Sequence, residues 1–269
     1  MYDLHIHSTY SDGISGIEEI FNMANLKGLK GIAITDHDSV LGLKKAEEIS
    51  RNYNMQFIKG LEVTCKVGKD KLHVLAYNIN YNSEELIEYS NKILDFENKV
   101  SRERIKLLHN IGIEIEVEEF FKESKGGPLY RGKLLKTLCS YGYLKEEEIM
   151  RSIPLYFGKG GSCEVDMEFQ YYNFQDTIKL IKRNQGIPIL AHPMKIKRKN
   201  EKLYKELINS NLIEGIEVYH PSASHEEQNE LMKIVKARGV IFTGGSDYHG
   251  IYNKRECPIG HRVVKEMFF

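Results

Sequence analysis

Short apolar runs in this chain repeatedly end in histidine, aspartate or glutamate. Leu4 and Ile6 alternate with His5 and His7, and Ile32-Ala33-Ile34-Thr35 runs into Asp36-His37-Asp38. Gly60-Leu61 runs into Glu62, Ile189-Leu190-Ala191 into His192, and the run 240–244 is followed by Asp247 and His249. Between these runs lie amphipathic stretches. Strands are expected at 2–7, 31–35, 56–61, 188–191, 215–218 and 240–244. They alternate with helices at 17–26, 43–51, 174–184, 201–210 and 225–238. Residues 63–67 and 71–77 read as a hairpin turned by Gly68-Lys69-Asp70. Such alternation predicts an α/β fold built on a parallel sheet or barrel. In a parallel barrel the carboxyl ends of the strands open on one face, where functional groups collect.

The middle of the chain differs. Leu86, Ile87, Ile93, Leu94, Phe96 and Val100 fall at helical spacing within a charged stretch, predicting one long helix over 83–110. Shorter helices are expected at 117–123, 132–141 and 145–153. We therefore read two segments, 1–82 and 166–269, as one barrel whose strand ends form the functional face, and residues 83–165 as a helical insertion expected to cover that face. The basic run 195–202 is expected to be a solvated loop.

Composition narrows the function classes. Lys plus Arg equals Asp plus Glu at 38 each, so bulk attraction to nucleic acid or an anionic membrane is not indicated. Cys65, Cys139, Cys163 and Cys257 form no C-x-x-C pair, which fits free thiols in a reducing compartment. The N-terminus lacks a signal-peptide pattern, and no apolar run is long enough to span a bilayer. A cytoplasmic protein without a membrane partner or an obligate protein partner is expected.

The recurring polar residues carry the chemistry. His5 and His7 sit at i and i+2 of a strand, so both imidazoles face one side and meet at one point. Taken alone, a His-x-His pair, or Asp12 in Ser11-Asp12-Gly13, is an ordinary surface feature. Asp38 alone would serve as a helix N-cap. The combination is harder to dismiss. His5, His7, Asp12, His37, Glu62, His73, His192, Asp247 and His249 all fall at or beside strand ends, and burying such groups is unfavourable unless something pairs them. A set of imidazoles and carboxylates without cysteine suits Mn, Fe or Zn rather than Ca or Mg. It exceeds the needs of one ion, so two or three divalent ions are expected, Mn first, with Glu62 bridging and Asp247 beside it in catalysis. Clustered ions lower the pKa of a shared water and supply hydroxide at neutral pH. No G-x-S-x-G or P-loop sequence points to another hydrolytic machinery.

At these residues the sequence resembles the PHP family, named for polymerase and histidinol phosphatase. The matching pieces are Leu4-His5-Ile6-His7-Ser8 with Ser11-Asp12-Gly13, Ile34-Thr35-Asp36-His37-Asp38, Gly60-Leu61-Glu62, His73, Ala191-His192-Pro193 and Gly245-Ser246-Asp247-Tyr248-His249-Gly250. The resemblance implies a distorted (β/α)7 barrel with a trinuclear metal site. It implies His5, His7, Glu62 and Asp247 at one ion, Glu62, His73 and His192 at a second, and Asp12, His37 and His249 at a third. Length and insertion resemble the stand-alone phosphoesterases of the family, which act on nucleoside 3′,5′-bisphosphates and short RNA 5′ ends. There an insertion arginine contacts substrate phosphate, and Arg131 matches it. Gly132-Lys133 departs from the Pro-His expected next. Glu217-Val218-Tyr219-His220-Pro221 also matches, while Ala223 stands where a histidine is common.

The resulting expectation is a metal-dependent phosphoesterase that hydrolyses nucleotide phosphate esters with a metal-bound hydroxide. Arg131, Lys159 and His220 are expected to contact the small phosphorylated substrate, a nucleotide or short RNA. Asp36 and Asp38 are expected to orient His37. Two alternatives remain at this point: a histidinol-phosphate phosphatase using the same metals, and a non-catalytic PHP module that binds partners.

Overall fold

The computed structural model describes residues 1–123, 127–250 and 257–266. Seven strands form one sheet in chain order. They are β1 (Tyr2–Ile6), β2 (Gly31–Ile34), β3 (Gln56–Val67), β4 (Asp70–Tyr77), β5 (Ile187–Leu190), β6 (Gly215–Tyr219) and β7 (Ile241–Gly244). Neighbours are parallel except β4, which runs antiparallel to both β3 and β5. Beyond β7 the chain returns to β1: the His7 amide donates to the Tyr248 carbonyl at 2.9 Å. The sheet is thus a nearly closed α/β barrel of seven strands, distorted by its one reversed strand.

Helices α1 (Ile17–Leu26) and α2 (Leu43–Ser50) follow the first two strands. The first begins with Glu18 and Glu19 in its opening turn, where acidic groups favour the helix dipole, and it buries Ile17, Ile20, Phe21 and Ala24. Between β4 and β5 come α3 (Glu84–Asn110), α4 (Val117–Glu123), α5 (Arg131–Ser140), α6 (Ile149–Phe157) and α7 (Phe174–Arg183). After β5 come α8 (Pro193–Lys199) and α9 (Glu201–Ile208), and α10 (His225–Arg238) joins β6 to β7. A Ser224–Glu227 capping box starts α10, and Gly239 ends it with φ 63°.

The apolar residues divide in an informative way. One large cluster lies between the strands and the flanking helices, and a small one is fed by β1 through β5 with Leu4, Ala33, Ile58, Tyr77 and Ile189. A third cluster belongs to the segment between β4 and α7: Ile105, Leu108, Phe120, Leu134, Leu135, Leu138, Ile149 and Phe157 pack together. The insertion helices therefore have a core of their own.

Two expectations need correction. Glu62 is not the last residue of a strand, because β3 continues to Val67. Parallel pairing with β2 stops at Lys59, antiparallel pairing with β4 runs from Gly60 to Val67, and Val63, Thr64 and Val67 favour the extended chain. The basic run after His192 is not a loop. Pro193 stands at the first position of α8, where its missing amide hydrogen costs nothing, and Lys197, Arg198 and Lys199 occupy the last turn, where cations favour the dipole.

Candidate metal centre

The carboxyl end of the barrel gathers the predicted residues. His5 and His7 leave β1 on the same side and are fully buried. Asp247 follows β7 through Gly245, where a Cβ would fall 2.4 Å from the His5 amide nitrogen, so only glycine permits this approach. Asp3 pins the same turn, accepting from the Ser246 amide at 2.9 Å and the Gly260 amide at 2.8 Å. Burial pushes the Asp3 carboxyl up to about 6 against those bonds. Asp38, His192 and Asp247 adopt positive φ of 52°, 30° and 52°. Such strained backbone is held in place by its surroundings.

Glu62 stands at the centre, 1% exposed. Its Oε2 lies 3.2 Å from each of His5 Nε2, His7 Nε2 and His37 Nδ1. Its Oε1 lies 3.0 Å from His73 Nδ1 and 2.9 Å from His192 Nε2, and those two nitrogens are 3.2 Å apart. Asp247 Oδ1 is 3.3 Å from His5 Nε2 and 3.4 Å from His7 Nε2. A third group forms around Asp12, with His249 Nε2 at 3.2 Å, His7 Nδ1 at 3.6 Å and His37 Nε2 at 4.0 Å. The structure thus brings all nine predicted residues together.

The donor atoms fit divalent transition metals. His5 Nε2, both nitrogens of His7, His37 Nδ1 and Glu62 Oε2 are buried without a hydrogen-bond partner among the described residues. Leaving such groups unsatisfied costs about 1–3 kcal/mol each, so a shared ion is the natural partner. Atoms bound to one ion at about 2.1 Å sit about 3.0–3.4 Å from each other, and the four histidine-to-carboxylate contacts within the His5–His7–Glu62–Asp247 group span 3.2 to 3.4 Å. Each of the groups His5–His7–Glu62–Asp247, His37–Glu62–His73 and His7–Asp12–His37–His249 can hold an ion.

The electrostatics agree. Burial opposes the charge on Glu62, but His37, His5 and His73 outweigh it and hold the carboxyl well below its usual range. Lys195 and His5 do the same for Asp247. Burial pushes His37 and His192 down to about 3, whereas, against burial, the facing carboxylates push His5 and His73 up and His249 up to about 9, so an ion entering beside those three rings would displace protons from them.

Sequence reasoning missed several groups. Glu217, fully buried on β6, accepts from or shares a proton with His5 Nδ1 at 2.7 Å and accepts from the His192 amide at 2.6 Å. It thereby fixes the ring of one and the backbone of the other. Lys195, one turn into α8, reaches Asp247 Oδ2 at 3.1 Å and lines the cleft above the cluster. That cleft has a volume of about 750 Å³. Its opposite wall comes from the insertion: Glu97 and Arg104 of α3, Tyr130 and Arg131 at the start of α5, and Gly158 after α6.

The expected substrate contacts divide. Arg131 lines the cleft. Lys159 is exposed and outside the cleft lining, which its neighbour Gly158 reaches instead. His220 is 2% exposed and lies behind the site, with Nε2 3.0 Å from Asp247 Oδ2 and Nδ1 2.7 Å from Ser222 Oγ. It braces a carboxylate rather than facing the cleft. Asp36 and Asp38 also differ from expectation. Asp36 accepts from the Ser8 amide and from the Ser8 and Ser11 hydroxyls, and Asp38 from the Thr64 amide and hydroxyl and from Tyr89. Both carboxylates brace neighbouring main chain, and His37 is placed by the strand contacts on either side of it.

Comparison with known proteins fits this geometry. A family model described as PHP domain matches residues 3–242. A phosphoribosyl 1,2-cyclic phosphate 1,2-diphosphodiesterase of Eggerthella lenta is 28% identical over 97% of this chain and 98% of its own. The 5′-3′ exoribonuclease Rnm of Escherichia coli is 25% identical over 96% of this chain and 86% of its own. A solved structure from Bifidobacterium adolescentis, described as a metal-dependent phosphoesterase, superposes with a TM-score of 0.76 at 20% identity, covering 98% of this chain and 92% of that one. It shares the fold.

Proposed function

The chain belongs to the PHP domain family, and on that premise we propose that this hydrolase cleaves phosphate esters on phosphorylated ribose, as in a nucleoside 3′,5′-bisphosphate or an RNA 5′ end. The observation that carries the reading is the position of Glu62, whose two oxygens face two different sets of histidines. In this reading His5, His7, Glu62 and Asp247 hold one ion, Glu62, His73 and His192 a second, and Asp12, His37 and His249 a third. The preferred ion is Mn, with Fe or Zn as substitutes, because imidazole and carboxylate donors suit all three. Ions bound there lower the pKa of a shared water, supply hydroxide at neutral pH and neutralise phosphate oxygens.

The chain's own residues do the rest. Glu62 and Asp247, held below their usual carboxylate range, remain ionised and would offer their oxygen atoms to the ions. Glu217 and His220 keep His5, His192 and Asp247 from turning away. Lys195 and Arg131 approach the cleft from opposite walls and grip phosphate, the guanidinium with a planar fork suited to it. The insertion, which we assign to residues 83–165, is the wall that selects substrate. The substrate in the name of the Eggerthella lenta relative also contains a phosphorylated ribose, which supports this class. Among the described residues no helix is long and apolar enough to cross a membrane, in keeping with a cytoplasmic setting for nucleotide chemistry.

A phosphate-release screen of Mn-loaded protein tests the substrate class. It should include a nucleoside 3′,5′-bisphosphate, a short 5′-phosphorylated RNA, a cyclic phosphate of phosphorylated ribose, and histidinol phosphate. Preference for histidinol phosphate would reject the ribose reading. Turnover of a chiral thiophosphate ester in ¹⁸O-water tests the chemistry: direct attack by water inverts phosphorus, and net retention would mean a covalent intermediate instead.

A further inference from the structure

The insertion does more than face the cluster across a cleft. Lys133, one turn into α5, is 4% exposed, and its ammonium donates to two main-chain carbonyls. One belongs to Pro128, at 2.8 Å. The other belongs to Thr9 in the loop between β1 and α1, the loop that carries Asp12. Next to this contact Gly127 presses on the same loop: a Cβ there would fall 2.1 Å from the Thr9 carbonyl oxygen and 2.8 Å from Tyr10 Cα.

The loop is held from its other side as well. Asp36, buried at the end of β2, takes the Ser8 amide at 2.7 Å and the Ser8 and Ser11 hydroxyls at 2.6 Å each. Loop 8–12 is therefore clamped between a buried carboxylate of the barrel and a buried ammonium of the insertion. Burying a lysine is unfavourable, and here burial lowers its pKa to about 8 although Asp36 and Asp12 pull the other way. A residue that served only to fill the insertion core could be apolar. The ammonium is used where two backbone carbonyls of separate segments have to be joined.

We infer that Lys133 is a positioning residue for the third metal group: by tying the insertion to loop 8–12 it sets the place of Asp12 and hence the affinity of the Asp12–His37–His249 group for its ion. This rests on the three-ion reading proposed above. Asp12 is the most exposed of the carboxylates in the cluster, with a side chain 30% exposed against 1% for Glu62 and 12% for Asp247. Its position therefore depends most on the loop beneath it. Linkage makes the coupling reciprocal, so an ion in the third group must also strengthen the contact between insertion and loop.

The test is a calorimetric titration of metal-free wild type and Lys133→Met with Mn, with melting of both metal-free proteins followed by circular dichroism. Methionine keeps the length and removes the donors. We expect the weakest-bound ion to lose about tenfold or more in affinity, the range for groups that orient ligands, while the two ions sharing Glu62 keep theirs. Equal affinity for all three ions in both proteins overturns the inference. So does a fall in melting temperature with all three ions weakened alike, since that is a general structural defect. Wild type that never takes a third ion defeats the three-ion reading and this inference with it, a result distinct from the other two. Should Lys133→Met fail to fold, hydrogen exchange on the wild type decides. Filling the third group should slow amide exchange at 9–15 and 127–134, and unchanged exchange there would overturn the coupling.

Discussion

The two walls of the cleft are built on opposite terms. On the barrel wall, charged groups bond to each other: Glu62, Asp247 and Asp12 face histidines within 4 Å, and Glu217 and His220 stand behind them. On the insertion wall, charges are loosely matched. Arg104 buries two guanidinium nitrogens without a hydrogen-bond partner among the described residues, and Glu97 has its carboxyl pushed up to about 7, by burial first and then by Asp38, against Arg104. A preorganised metal cluster demands fixed geometry, whereas a wall that accepts a charged substrate keeps charge in reserve for it. In the proposed reading, the difference separates the part of the molecule that does chemistry from the part that chooses what to act on.

The sharpest way to break that division is Glu62→Gln. The amide keeps the shape and loses the charge that holds two groups together, so activity should fall by about a hundredfold or more, with metal lost. Kinetics and elemental analysis check this, and a variant retaining full metal and rate would place the chemistry elsewhere. Glu217→Gln is the next step down. It touches no substrate, yet it loosens His5 and His192, and Mn affinity should fall by about ten- to a hundredfold.

The contrast also marks what could be read from sequence. The barrel wall was legible because its residues obey local rules: i and i+2 histidines on a strand, and polar residues closing apolar runs. Glu217 was harder, although an acid inside Gly215-Ile216-Glu217-Val218 must be paired if the strand is buried. Lys195 was obscured by the basic run around it. Pro193 was the signal that the run begins a helix, which turns Lys195 back over His192. On the insertion wall the helices were legible from their periodicity. That they would cover the site was expected, but the contacts that hold them there, such as Lys133 with Thr9, were not legible, because no local pattern encodes them. For the same reason the sequence offered Lys159 as a substrate contact, while the structure leaves it outside the cleft.

On the insertion wall the expected effects are smaller. Arg131→Ala should raise KM for a doubly phosphorylated substrate about tenfold, the loss of one charge-assisted contact, with a lesser effect on a simple aryl phosphate. Equal losses on both would deny it a selecting role. The smallest effect concerns pH. Glu97 carries a raised pKa, so its contribution to stability is whole below the unfolded value of about 4.5 and declines as pH rises through about 7. Glu62 and Asp247, held below their usual range, act with the opposite sign: their contribution is present above the unfolded values and is lost as pH falls. In protein stripped of divalent ions, Glu97→Gln should flatten the loss of stability between pH 5 and 7, read as melting temperature against pH, and leave the acid limb as it was. An unchanged slope on the neutral side would remove Glu97 from the account.

The central claim is that one carboxylate organises several ions. Anomalous diffraction from crystals of the Mn-loaded protein tests it most directly. The account predicts separate Mn peaks on the two sides of Glu62, with a further peak beside Asp12, His37 and His249. A single peak, or none within bonding distance of Glu62, would contradict it.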